Sequence, residues 1–403
     1  MKRLFLIIVL ILLSIGCKPI SKSEPSPETR EVVEEASEDA SEEPVESVEE
    51  SVEESDEESA EGVMVENSDQ KDNYIKMPIF FATDRNYNQT LAIDKQLGGE
   101  RGEKIRYGFC NVSIPFSHKV GEIERPRWWR LEFKEDPDKH VVIHKVAVLE
   151  ENTFFSLLSN RVSISTKKKS FLFVHGYNTS FAEAAQRTAQ ISYDLSFDGA
   201  PVFYSWPSAA KTSAYIKDEA NIEWAQTNIR NFLNDYIEKS GVEEIYLIAH
   251  SMGNRGLTRA IIDLIASKPE LKSKIKEIIL AAPDIDADVF KRDIAPQMVS
   301  EINKPITLYA SSEDVALKAS KEIHGSPRAG DTNQGVVLVR GIETVDASAI
   351  STSFLGHSYF ADTPSIISDI FDLITKGERA GSRSGLEEVR AQNDIYWKVI
   401  TPE

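Results

Sequence analysis

The chain of 403 residues is poor in cysteine, with Cys17 and Cys110 alone, so it holds no disulfide framework. No basic patch stands out, and a nucleic-acid partner is therefore not favoured. The apolar stretch Leu4–Ile15 has 12 residues, against the roughly 20 of a membrane-spanning helix. Histidine is also scarce, at seven residues, which narrows the choice of any imidazole base. Cys110 sits in an apparent strand, Tyr107 to Ile114, where a buried structural thiol is expected rather than a nucleophile.

Charge is unevenly spread. Residues 18–72 carry 21 Asp/Glu against 4 Lys/Arg, a net −17, whereas residues 73–403 come to −4. That Ser/Glu-rich segment cannot bury enough apolar surface to offset ordering entropy, so a disordered, self-repelling tether is expected. Ahead of it, Lys2-Arg3 and the apolar stretch form an export signal ending at Ser14-Ile15-Gly16-Cys17. The ending resembles the lipobox of bacterial lipoproteins, which implies lipidation at Cys17, a membrane anchor and a place in the cell envelope. Ser14 departs from the usual aliphatic residue, and an ordinary secretory signal is the alternative. The expected organisation is a signal at 1–16, lipid-anchor cysteine and tether at 17–72, and a catalytic domain at 73–403.

Met77 to Arg85, Tyr107 to Ile114, Trp128 to Phe133 and His140 to Leu149 read as strands, an antiparallel start to a sheet. From Ser170 the rhythm changes to alternating strands and helices. Strands are expected at Phe171–His175, Pro201–Ser205, Tyr246–Ala249, Ile278–Ala281, Ile306–Ala310 and Gly335–Val339, with another at Ile342–Val345. Helices are expected at Phe181–Tyr193 with Thr179 as cap, Tyr215–Lys239, Asp288–Val299, Val315–Ile323 and Pro364–Ile374. This pattern implies an α/β fold with a mainly parallel sheet covered on both faces.

The chemistry centres on Tyr246-Leu247-Ile248-Ala249-His250-Ser251-Met252-Gly253-Asn254. A strand, a sharp turn with serine at its apex and a following helix are the context of a nucleophile elbow. Serine needs a base and a carboxylate to orient that base. After Ser251 only His324 and His357 remain, and His357 follows the last strands, where the base is expected. The His250 side chain is expected to point away from the elbow, for packing or for a hydrogen bond behind the reacting groups. The acid is Asp314, after Ile306–Ala310, or alternatively Asp284, after the preceding strand. Asp284, Asp286 and Asp288 alternate as in a metal loop, but the glycine and terminal glutamate are missing; a capped helix start is expected, with no metal and no cofactor. The backbone N–H groups of Met252 and Tyr177 are the candidate oxyanion donors.

Met77–Arg85, Phe173–Phe181, Phe203–Ser208, Leu247–Asn254, Ala281–Asp286, Glu313–Ser320 and Gly356–Phe360 together resemble a bacterial α/β-hydrolase family of unknown function in the esterase/lipase group. The likeness covers about residues 74 to 376. It implies the α/β-hydrolase fold and a Ser251–Asp314–His357 triad, and names no substrate. The expected activity is a membrane-anchored serine hydrolase acting on small esters or related acyl compounds. An acyltransferase and a catalytically silent binding protein of the envelope are the alternatives. The connection 282–305 has room for little more than one helix, so no separate cap domain is expected there, and Trp128-Trp129 become candidates for a wall of the site.

Overall fold

A computed structural model describes residues 72–130, 132–350, 359–391 and 394–400; the leader, Cys17, the acidic segment up to residue 71, and His357 lie outside the described residues. The strands are β1 (Tyr74–Tyr87), β2 (Leu97–Pro115), β3 (Val142–Leu149), β4 (Lys169–Val174), β5 (Ala200–Ser205), β6 (Glu244–His250), β7 (Ile275–Ala281), β8 (Ile306–Ala310), β9 (Glu343–Asp346), β10 (Leu386–Ala391) and β11 (Asp394–Val399). They form one sheet in the order β10-β11-β9-β8-β7-β6-β4-β5-β1-β2-β3. β1–β2–β3 pair antiparallel, and β1 joins β5 in parallel. From β5 to β9 every pairing is parallel, and the β10–β11 hairpin adds to β9 through Trp397 opposite Val345.

The helices are α1 (Glu151–Ser163), α2 (Phe181–Asp194), α3 (Tyr215–Lys239), α4 (Gly253–Ser267), α5 (287–302), α6 (Val315–His324) and α7 (Pro364–Phe371). α1, α3, α4 and α5 cover one face of the sheet, and α2 and α7 the other. Central strands buried on both sides need apolar side chains at every position. Along β6, Leu247 and Ala249 face the first layer while Tyr246 and Ile248 face the second. β4 divides in the same way, with Leu172 and Val174 against Phe171 and Phe173. Gly256 lets α4 come close to α3, since a β-carbon there would lie 2.8 Å from the Cδ1 atoms of both Ile222 and Ile229.

The structure departs from the sequence expectations in several places. The strand expected at Trp128–Phe133 does not form, and β2 pairs directly with β3. Trp128–Arg130 is a single 3₁₀ turn, and Trp128 and Trp129 are 72% and 63% exposed. Gly335–Val339 forms no strand; Gly335 takes φ +107, and the pairing strand is β9. α1 and the β10–β11 hairpin went unassigned. The cap of α2 is Ser180 rather than Thr179, in a reciprocal capping box with Glu183. No helix among the described residues is long and apolar enough to cross a membrane.

The connection from β2 to β3 is held at His118. Its ring reaches Glu124 at 2.9 Å through Nδ1 and Asp194 of α2 at 2.9 Å through Nε2. Both nitrogens can donate to carboxylates only in the cation. Burial opposes that charge, but the two acids outweigh it and push the pKa up to about 9. A histidine whose folded pKa is raised adds stability below about pH 6.5, its unfolded value, and loses it as pH rises through about 9. Accordingly, His118→Gln is expected to lower the melting temperature clearly at pH 7. At pH 10 the gap to wild type should shrink, and an equal gap at both values would contradict a charged clamp.

Candidate active site

Ser251 stands at the junction of β6 and α4 with φ +52, in the left-handed region. For a residue with a β-carbon this costs about 1–3 kcal/mol and persists only where the surroundings over-determine it. They do so here. The Ser251 N–H donates to Ala281 O at 2.9 Å, and the Ser251 carbonyl accepts from the backbone N–H of Asn254 at 3.1 Å and of Asp284 at 3.2 Å. The buried Asn254 amide ties Ser251 O at 3.0 Å to Ala281 O at 3.1 Å. Asn254 carried no role in the sequence reading, although its place at the third position after the serine was visible.

The loop after β4 lies directly against the elbow. A β-carbon on Gly176 would sit 2.9 Å from Ser251 Cβ and 2.9 Å from His250 Nδ1, so no larger residue fits. Gly253 is just as constrained, since its β-carbon would lie 2.7 Å from Val174 O. Tyr177 and Met252 thus flank the serine. Their backbone N–H groups take no part in the loop's hydrogen bonds among the described residues. The neighbouring groups are used: Asn178 N–H donates to Asp218 Oδ2 at 3.1 Å and Thr179 N–H to Ser208 Oγ at 3.0 Å. Asp218, fully buried, also receives Ser208 Oγ–H at 2.6 Å and Ala209 N–H at 2.8 Å, which pins this loop to the one after β5.

His250 makes a ring contact. Its ring stacks on Phe360 at 5.0 Å, and Phe360 in turn stacks on Phe173 at 6.1 Å. Phe360 itself is thus held beside the nucleophile strand. His324 is engaged elsewhere, at the end of α6, with Nε2 2.7 Å from Glu219 Oε1 and Nδ1 2.7 Å from Ser320 O.

The two acids differ. Asp314 follows β8, is fully buried, and caps α6 by accepting the Leu317 N–H at 2.9 Å. Asp284 follows β7 and sits in a closed polar network. Its Oδ1 accepts Ser320 Oγ–H at 2.6 Å, and its Oδ2 accepts Tyr215 O–H at 2.5 Å with Arg255 Nη2 at 3.3 Å. Burial would raise its pKa, but the Arg255 charge and the hydroxyls win and hold it below the ordinary carboxylate value. It is not the helix cap expected from the sequence: Asp286 caps α5, accepting from the N–H groups of Asp288 and Val289. Among the described residues no group of His, Cys, Asp and Glu is arranged to hold a metal ion. The connection between β7 and β8 holds only α5, with no cap domain. Trp128-Trp129 belong to the connection between β2 and β3, which Arg125 ties to Glu183 in the first turn of α2, 3.1 Å away.

Breaking a buried, hydrogen-bonded charge pair costs about 3–5 kcal/mol. Asp284→Asn is therefore expected to lower unfolding free energy by that order, read from urea titration, because Arg255 and Arg328 lose their shared anion. A variant as stable as wild type would contradict this role.

A search of curated proteins finds no match. Solved structures match the chain at low similarity. A predicted CIB-like hydrolase from Thermoplasma acidophilum is 16% identical, over 57% of this chain and 91% of its own, with a TM-score of 0.32. Lipase B of Aspergillus fumigatus is 14% identical, over 51% of this chain and 52% of its own, with a TM-score of 0.33. The esterase Pf2001 of Pyrococcus furiosus is 16% identical, over 52% of this chain and 83% of its own, with a TM-score of 0.29. The family match carries the classification. Residues 150–376 match the model described as alpha/beta hydrolase of unknown function (DUF900), and the chain belongs to that family.

Proposed function

We propose that this protein is a serine hydrolase of small carboxylic esters or related acyl compounds, working through Ser251, His357 and Asp314. The observation that carries the reading is the strained Ser251 at the tip of β6 with the Gly176–Tyr177 turn packed against it. Ser251 Oγ attacks the acyl carbonyl while His357 takes its proton. The oxyanion that forms is received by the N–H groups of Tyr177 and Met252, donors aimed where negative charge develops. His357 then gives its proton to the departing alkoxide, leaving the acyl group on Ser251 Oγ. Water, deprotonated by the same imidazole, attacks the acyl-enzyme and releases the carboxylic acid. Asp314 holds the imidazole in the tautomer that can accept the serine proton. We further propose that the chain is exported and anchored to a membrane of the envelope through lipid on Cys17, with the acidic segment as tether; Cys17→Ser should move the protein from the membrane to the soluble fraction.

The decisive experiment is labelling with a fluorophosphonate probe followed by peptide mapping. Labelling at Ser251, abolished in Ser251→Ala, is expected; an unlabelled folded protein would point to a binding function. Asp314 allows a second test that separates chemistry from folding. Asn caps helices about as well as Asp, so Asp314→Asn should leave the melting temperature nearly unchanged. Turnover should drop about 10⁴-fold, the size of loss known when a triad Asp becomes Asn. Activity should also rise with pH through roughly 6–7, where an unperturbed histidine loses its proton. A flat profile between pH 5 and 8, with chemistry limiting, would remove His357 from the mechanism.

A further inference from the structure

Arg85, at the end of β1, is 1% exposed and lies beneath the turn that carries Tyr177. All five of its N–H groups are bonded. Nε donates to Ser205 Oγ at 2.8 Å, and Nη1 to Gly98 O at 2.9 Å and Ser208 O at 2.9 Å. Nη2 donates to Thr179 O at 2.8 Å and approaches His175 Nε2 at 3.3 Å. Burial lowers its pKa to about 10, so it stays charged at neutral pH. A guanidinium has no acceptor, so the bond to His175 makes Nε2 the accepting nitrogen. The ring proton must then sit on Nδ1, which lies 2.8 Å from the carbonyl oxygen of Gly176. Burial and the Arg85 charge drive the His175 pKa down to about 3, which keeps this neutral tautomer through the working range.

The consequence follows from peptide geometry. The carbonyl of Gly176 and the N–H of Tyr177 belong to one planar trans unit and point in opposite directions. Fixing the carbonyl on His175 Nδ1–H fixes the direction of the Tyr177 N–H. Arg85 holds the far end of the same turn through Thr179 O. The His175 ring cannot swing, because it stacks on Trp206 at 5.0 Å and 15°, while Trp206 Nε1–H donates to His175 O at 2.7 Å.

We propose that Arg85 and His175 are positioning residues that aim the Tyr177 N–H at the oxyanion, Arg85 by selecting the His175 tautomer and His175 by gripping the Gly176 carbonyl. The proposal rests on the serine-hydrolase reading. It treats the oxyanion donor as the triad treats its imidazole: a buried charged group sets a tautomer, and the tautomer sets a direction.

The test uses the full chain, a soluble short-chain ester, and a trifluoromethyl ketone whose adduct on serine carries a tetrahedral oxyanion. His175→Phe keeps the stack on Trp206 but loses the contacts of His175 with Arg85, with Ser205 Oγ at 3.2 Å and with the Gly176 carbonyl. Arg85→Lys keeps the charge but cannot span five partners. Losing one oxyanion donor costs about 10²–10³ in kcat, and each variant should lose up to that factor. KM should stay within about twofold, because the bond acts in the transition state alone. Trifluoromethyl ketone affinity should fall in step with kcat. The pH–activity midpoint should not move, since His357 is untouched. Wild-type kcat in His175→Phe overturns the proposal, as does a loss expressed in KM with inhibitor affinity intact. Should Arg85→Lys fail to fold, His175→Phe decides alone, and Ser205→Ala, which removes the Nε acceptor, replaces it with an expected drop in kcat at constant KM. The two failures are distinguishable. A wild-type chain that neither labels with fluorophosphonate nor turns over ends the hydrolase reading and this proposal with it. A wild-type chain that does both, beside unaffected variants, ends this proposal alone.

Discussion

The structure around the site depends on one strained residue. Ser251 occupies the left-handed region, and nothing local favours a β-carbon there. The strain is stored because β6 delivers the chain to a point where β7 and the loop after β4 leave no alternative. Ala281 O and the N–H groups of Asn254 and Asp284 fix the Ser251 peptide groups on both sides. Gly176 and Gly253 remove the two β-carbons that would push the neighbouring backbones away. The parallel order β7-β6-β4 is what brings these three connections to the same end of the sheet.

Buried charge is arranged around this elbow in two separate groups. On the side of β1 and β5, Arg85 is met by carbonyls, a hydroxyl and a neutral imidazole, with Asp218 pinning the adjoining backbone. On the side of β7 and α6, Arg255 and Arg328 face Asp284, with Glu219 outside them. Such groups are costly to bury, and they gain little over apolar packing unless geometry is the benefit. Each of the two clusters touches backbone that positions the serine or the turn beside it: Arg85 through Thr179 O, Arg255 Nε through Asp284 O.

Much of this was legible in the residue order. The buried runs Phe171–Val174 and Leu247–Ala249, the long periodic α3 and the small residues around Ser251 announced a parallel sheet with an elbow, because in each case the local pattern and the tertiary demand agree. The misreadings arose where they do not. Trp128–Phe133 has strand-like residues, but Trp128–Arg130 is a 3₁₀ turn with both tryptophans exposed, and the next chain segment to join β2 is β3. The β10–β11 hairpin is polar on one side because it lies at the sheet's edge, so its alternation was too weak to notice. Arg85 was included in a motif without a role. A single arginine after Phe80-Phe81-Ala82 was the available signal, since a cation following a fully buried strand needs partners from several loops at once.

The choice between the two carboxylates turns on which oxygens are already occupied. Asp284 is nearer in sequence to the elbow, and its own N–H even bonds the Ser251 carbonyl. Yet each of its oxygens takes a hydroxyl hydrogen at 2.6 Å or less, and arginines stand on both sides. An imidazole approaching it would have to displace a charge-assisted bond and leave a buried hydroxyl or guanidinium unpaired, at about 1–3 kcal/mol for the neutral group and more for the charged one. Asp314 accepts the Leu317 N–H of α6 through Oδ1, which fixes the carboxylate without neutralising it. The strand order adds to this: β8 and β9 are neighbours, so the loop bearing Asp314 and the connection leading from β9 toward His357 start side by side. Ala347 N–H donating to Ala310 O at 2.8 Å extends that pairing one residue past the end of β9.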